Sequence, residues 1–176
     1  MKKVSTQIAG LYLIEFSPNL DDRGFFVRNF DKDDFRKLNL TSEFIQTSLS
    51  FNKRKGTLRG MHLQKSPYEE VKFIQVLGGR VFDVIIDLRP DSKTFRKWQS
   101  FELDLHSQNA LLVPGGCAHG FITLTDETLI QYRMDSGFEP SAQLGVRWND
   151  PAFAIQWPMS PNIISERDES FPDWAP

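Results

Sequence analysis

The segment Gly56-Thr57-Leu58-Arg59-Gly60-Met61-His62-Leu63-Gln64 gathers residue types suited to moving a proton. Read as a strand, it puts Leu58, Gly60, His62 and Gln64 on one face, because successive side chains alternate. An imidazole and an amide would then enter a partly apolar interior, with Gly60 leaving room for a ligand. A satisfied core histidine explains the same pattern equally well. A second imidazole, His119, lies in Val113-Pro114-Gly115-Gly116-Cys117-Ala118-His119-Gly120-Phe121, again among small residues that let a ligand approach. The third, His106, sits in the polar stretch Asp104-Leu105-His106-Ser107 and reads as solvated.

Lys72 shares a strand face with Ile74 and Val76. A lysine inside an apolar stripe is costly unless an anion meets it, so it reads either as a snorkelling edge residue or as a cation facing a developing oxyanion. Tyr132, aligned with Ile130 and Met134, points inward and reads first as a core tyrosine with its hydroxyl satisfied. Arg23, Arg59 and Lys72 would suit a pyrophosphate if their strands were neighbours. A metal is not expected. Metal-binding cupins offer a His-x-His pair, and the position two after His62 is Gln64, which leaves two scattered imidazoles without a carboxylate at ligand spacing.

The elements that must position these groups are mostly strands. Phe82, Val84, Ile86 and Leu88 alternate with Asp83, Ile85 and Asp87, a period of two. Val71 to Leu77 is a second β-rich run, and Gly78-Gly79 between them predicts a hairpin. Phe121 to Leu124, a turn at Thr125-Asp126-Glu127, and Thr128 to Met134 predict another. Leu111-Leu112-Val113 stops at Pro114-Gly115-Gly116. Helical signal is thin: Asp31 caps a short helix through Phe35 and Leu38, and one turn falls around Ser165 to Asp168. Many short strands separated by turns predict an all-β sandwich or barrel.

Composition narrows the field. The chain has 176 residues, the size of one domain, so residues 1–176 are read as a single unit. A net charge of −2 argues against nucleic-acid binding, which needs a basic excess. The single cysteine, Cys117, excludes a disulfide framework and a Cys-rich zinc site. The start carries no signal-peptide pattern and no window nears 18 apolar residues, so a cytoplasmic protein without membrane spans is expected.

In this order, the segments resemble the dTDP-4-dehydrorhamnose 3,5-epimerase family over nearly the whole chain. The likeness runs through Asp21-x-Arg23-Gly24-x-Phe26, Gly56 to Gln64, Lys72, Gly79 to Arg89, Pro114-Gly115-x-x-Ala118-His119-Gly120-Phe121 and Tyr132. It closes on Trp148-Asn149-Asp150-Pro151, Ile155-x-Trp157-Pro158 and Ser165-Glu166-Arg167-Asp168. The resemblance implies a cupin-type jelly-roll barrel with short peripheral helices, a homodimer that exchanges strands, and no metal or organic cofactor. It implies a nucleotide-linked 4-keto-6-deoxyhexose as substrate, inverted at the carbons beside the ketone. His62 would be the base, Asp168 its orienting carboxylate, Lys72 the enolate stabiliser and Tyr132 the acid on the opposite face. Imidazole ordinarily titrates near about 6.5, which suits proton transfer at neutrality. A single oxyanion donor is worth about 3–4 kcal/mol in comparable chemistry.

The same resemblance assigns substrate contacts to Arg23, Phe26, Arg28, Gln46, Ser48, Arg59, Gln64, His119, Phe138, Gln143 and Arg167. Several depart from the family pattern. Arg28 and Gln143 stand where acids are usual, Phe138 replaces a base-stacking tyrosine, Arg167 replaces a lysine, and Ser48 and Asn52 differ around Gln46. All of these fall on the nucleotide side, whereas His62, Lys72, Tyr132 and Asp168 match. Three rivals share the fold: a single-carbon epimerase, a ketoisomerase, and a non-catalytic cupin that binds a sugar nucleotide.

Overall fold

Alternating β-branched and aromatic residues build most of the chain into strands, as a half-buried pleated surface favours. The computed structural model describes residues 1–174, so residues 175 and 176 of the expected domain lie outside the described residues. The N-terminal part holds β1 (Lys2–Ser5), β2 (Tyr12–Glu15), β3 (Asn19–Asp21), β4 (Gly24–Phe26) and helix α1 (Lys32–Lys37). The centre holds β5 (Gln46–Asn52), β6 (Leu58–Gln64), β7 (Lys72–Gly78), β8 (Arg80–Asp87), β9 (Trp98–Asp104) and β10 (Asn109–Val113). β11 (Cys117–Thr123), β12 (Thr128–Met134), β13 (Gln143–Gly145) and helix α2 (Glu166–Glu169) complete the order.

Two antiparallel sheets face one another. One runs β1-β2-β10-β7-β12-β5, the other β13-β6-β11-β8-β9, and β3 and β4 form a separate ribbon. Ile74, Val76, Leu111 and Ile130 from the first sheet interlock with Val81, Ile85, Leu103 and Phe121 from the second. Outside the second sheet, Met61, Leu63, Val84 and Ile86 are covered by Val146, Phe153 and Ile155 of the tail. Outside the first, Ile14, Phe73 and Leu112 pack under Phe16 and the α1 residue Phe35. Asp31 caps α1 by accepting from the amides of Asp33 and Asp34, as expected from its type and place. Among the described residues no helix is long and apolar enough to cross a membrane.

Neither predicted hairpin forms. β7 pairs with β10 and β12 in the first sheet, while β8 pairs with β9 and β11 in the second. β11 and β12 likewise lie in different sheets. The Gly78-Gly79 and Thr125-Asp126-Glu127 turns are corners at which the chain changes sheet. The two corners pack together: the Arg80 amide donates to Thr125 Oγ1 at 2.9 Å, and Leu124 donates to the Arg80 carbonyl at 2.8 Å. Gly79 is required there. Its φ is +75°, and a Cβ would meet Thr128 Oγ1 at 2.5 Å.

The face predicted for the histidine strand also needs correction. His119 pairs with His62, but Phe121 pairs with Arg59, so β6 spends one extra residue over this stretch. That bulge turns Arg59, rather than Gly60 and Leu58, toward the side on which His62 lies. Gly60 sits at the bulge with φ +133°, and a Cβ there would meet Gly120 Cα at 2.5 Å. Gly60→Ala is therefore expected to destabilise the protein by about 3 kcal/mol or more, seen as a lower urea midpoint at unchanged slope.

Candidate active site

Between the sheets lies a two-chambered cleft. The inner chamber, about 260 Å³, is lined by Ser50, Arg59, His62, Lys72, His119, Phe121 and Tyr132. The outer chamber, about 540 Å³, is lined by Gln46, Thr47, Ser48, Glu70, Lys72, Tyr132, Met134 and Phe138. Lys72 and Tyr132 border both. Inward-facing residues of β5, β7 and β12 supply one wall, and β6 and β11 the other.

His62 and Asp168 are brought together across 106 residues of chain, with Nε2 and Oδ1 2.7 Å apart. Ser165 caps α2 by accepting from the Asp168 amide, which places the carboxylate under β6, and its Oδ2 accepts from the Gly60 amide at 3.0 Å. Burial disfavours the charged form, but the bonds from His62 and Gly60 outweigh it and hold the Asp168 carboxyl below its ordinary value. An ionised carboxylate only accepts, so Nε2 carries the hydrogen, and in the neutral ring Nδ1 holds the lone pair. The Phe171 ring stands edge-on to His62 at 5.9 Å, and a Cβ on Gly145, the β13 residue opposite His62, would collide with that ring.

A second imidazole–carboxylate pair floors the inner chamber. His119 Nε2 lies 2.8 Å from Asp83 Oδ2, both groups are buried, and Asp83 Oδ1 has no partner among the described residues. Burial pushes the Asp83 carboxyl up, against the opposing pull of His119 and Lys72. The Tyr132 ring meets His119 edge-on at 5.9 Å. Its hydroxyl has no hydrogen-bond partner among the described residues, and burial, reinforced by Asp83, raises its pKa far above the usual phenol. The phenol is therefore held in its protonated form, the one that can donate. Lys72 forms an ion pair with Glu70, Nζ to Oε1 3.2 Å, and donates to the His62 carbonyl at 3.4 Å. Arg59 is oriented by Asn52 Oδ1 at 2.8 Å. Among the described residues no three His, Cys, Asp or Glu side chains converge as metal ligands.

The remaining expected contacts divide. Gln46, Ser48, Arg59, His119 and Phe138 line the cleft. Gln64 does not: its amide donates to the Tyr68 and Gly137 carbonyls and accepts from the Glu139 amide, so it ties two loops together. Gln143 and Arg167 bond to each other outside the chambers. Arg23 and Phe26 project on the exposed β3–β4 ribbon, Arg23 paired with Asp21, and Arg28 pairs with Asp31. Of the imagined cationic cluster, only Arg59 and Lys72 meet within the chain. Sequence reasoning missed Glu70, Asp83 and Phe171. Asp83 shares a strand face with Val81 and Ile85, and Glu70 is two residues before Lys72, so strand periodicity held a signal for both. Phe171 had none.

A jelly roll of cupin type whose cleft sets an imidazole–carboxylate pair against a lysine and a phenol is the architecture of an enzyme that moves protons on carbon. The family described as dTDP-4-dehydrorhamnose 3,5-epimerase matches residues 5–175. The chain is similar to the dTDP-4-dehydrorhamnose 3,5-epimerase of Escherichia coli, at 36% identity over 96% of this chain and 92% of that one. Among solved structures, the Bacillus anthracis enzyme of that name, with TDP and PPi bound, superposes with a TM-score of 0.95 at 39% identity, covering 98% and 99% of the two chains. A Legionella pneumophila 3,5-epimerase in complex with dTDP-4-keto-L-rhamnose gives 0.89 at 34% identity, covering 95% and 89%. The chain belongs to the dTDP-4-dehydrorhamnose 3,5-epimerase family, and it is an isomerase of nucleotide-linked sugars.

Proposed function

We propose that His62 is the base, Lys72 the enolate stabiliser and Tyr132 the acid in 3,5-epimerisation of a dTDP-linked 4-keto-6-deoxyhexose. Hydrogen on a carbon beside a ketone is acidic because the electron pair left behind spreads onto the carbonyl oxygen. His62 takes the proton, the C–H electrons form the enolate, and its charged oxygen meets the Lys72 ammonium. Tyr132 then delivers a proton to the opposite face. Solvent reprotonates the phenol and takes the proton from His62, so the sequence repeats at the second carbon. The observation that carries this reading is the opposition, across one chamber, of a carboxylate-braced imidazole on β6 and an unpartnered phenol on β12. Gln46, Ser48, Arg59, His119 and Phe138 contact the sugar and nucleotide, consistent with TDP bound to the Bacillus anthracis relative.

Incubation with the 4-keto sugar nucleotide in heavy water tests the reading. Deuterium at both carbons beside the ketone is the expected result. Label at one carbon reduces the enzyme to a single-carbon epimerase, and none at either refutes it. Lys72→Ala should lower the rate by about 10²- to 10³-fold, with most of the loss in kcat. A loss confined to KM would reassign Lys72 to binding.

The working form is a homodimer. Leu49 and Phe51 are exposed on the outer face of the edge strand β5, beside buried atoms of Gln75, Gln131 and Arg133 that have no partner among the described residues. Leu20, Phe25 and Phe26 are exposed on the projecting ribbon. A second copy would cover these apolar groups, and the ribbon would carry Arg23, Phe26 and Arg28 toward the cleft of the other copy. Sedimentation equilibrium tests this, since an active monomer would remove those three residues from the site. The same reading puts the enzyme in the cytoplasm, in keeping with its free, buried Cys117 thiol.

A further inference from the structure

We propose that Glu70 is a positioning residue, whose carboxylate holds the Lys72 ammonium at the junction of the two chambers with an N–H free for the enolate oxygen. This rests on the epimerase reading above. An ammonium has three N–H donors. The His62 carbonyl at 3.4 Å takes one of them, and Glu70 Oε1, 3.2 Å away, is the counter-ion of Lys72 among the described residues, so the ammonium keeps N–H donors for the enolate oxygen. Both charged side chains are only 12% exposed, so solvent screens the pair weakly. Lysine is otherwise a point charge on a flexible four-carbon stem, and a carboxylate on one side with a carbonyl on the other restricts where that charge can sit.

The arm carrying Glu70 is itself fixed. Val71, between the two charged residues, donates to Asp135 Oδ1 at 2.7 Å and accepts from the Asp135 amide at 3.4 Å. Gly115 lets this segment lie close: a Cβ there would meet Glu69 Cβ at 2.9 Å. The Pro114-Gly115-Gly116 turn thus serves the site by leaving space for the strand entry that bears Glu70. Removing the carboxylate's charge lets the ammonium swing away from the reacting oxygen, which costs rate more than affinity.

The test is a double-mutant cycle on deuterium incorporation. Glu70→Gln, nearly the same shape without the charge, is expected to lower kcat by about ten- to a hundredfold with KM within about threefold. In a Lys72→Ala background the same change should alter the rate by less than about twofold, because Glu70 acts through Lys72. A Glu70→Gln enzyme with wild-type kcat overturns the proposal, as does an equal loss in both backgrounds. The Nζ signal of Lys72 in 15N-detected spectra of the resting protein gives a readout without turnover. It is expected to be sharp in the wild type and lost in Glu70→Gln, and an unchanged signal also overturns the proposal. A wild-type protein that incorporates no deuterium would instead remove the epimerase reading, leaving the Nζ signal to judge the placement of Lys72.

Discussion

His62→Ala is expected to cut deuterium incorporation at both carbons by about 10²- to 10⁴-fold, the range a general base contributes. The loss should appear at both positions together, because one imidazole serves both carbons. The bond between His62 Nε2 and Asp168 leaves Nδ1 to take the proton, whereas the other imidazole of the chamber, His119, is tied to the buried Asp83 on β8. The fold should survive. His62 is 38% exposed in its side chain, so its removal opens little core, and Asp168 keeps its bond to the Gly60 amide at 3.0 Å. The expected cost is about 1–3 kcal/mol, the penalty for depriving a buried carboxylate of one partner. Proton spectra of the sugar in heavy water, with a thermal melt alongside, measure both quantities. Exchange above a tenth of the wild-type rate in a folded variant would take the base role from His62.

Tyr132→Phe should separate the two halves of the reaction. Without the phenol, reprotonation on the far face loses its donor, and net inversion is expected to fall by about 10²- to 10⁴-fold. Proton removal by His62 continues, so the recovered sugar should carry deuterium with its original configuration. The variant keeps the ring that meets His119 edge-on and loses an oxygen without a protein partner, so stability should hardly change. Because burial and Asp83 keep the phenol protonated, the alkaline limb of the wild-type rate should not report Tyr132. Product analysis by optical and spectral means reads configuration and label separately. Inversion at the wild-type rate in Tyr132→Phe would show that another group returns the proton.

The strands and the Asp31 cap were legible because they rest on local rules: alternation, turn residues and a capping side chain. Lys72 and Tyr132 were placed inward by the same alternation, and both border the cleft. The two hairpins failed because Gly78-Gly79 encodes a reversal of direction and says nothing of which sheet receives the next strand. The His62 face failed at Arg59 because a bulge inserts one residue, and each such insertion flips the side chains beyond it. Arg23, Phe26 and Arg28 carry recognisable motifs, yet the single chain leaves them outside the chambers, since a ribbon can reach where its own fold does not.

Residue types and their period settled, without coordinates, that this is a strand-built chain with an imidazole, a lysine and a phenol turned toward its interior. Only the tertiary structure decided that β6 faces β12, that Asp168 in the tail reaches His62, that Glu70 meets Lys72, and that Gln64 is used up by two loops. The physical reason is one of range. Alternation and capping act between neighbours along the chain, whereas sheet partners, bulges and contacts across 106 residues are settled by which packing buries the apolar faces best.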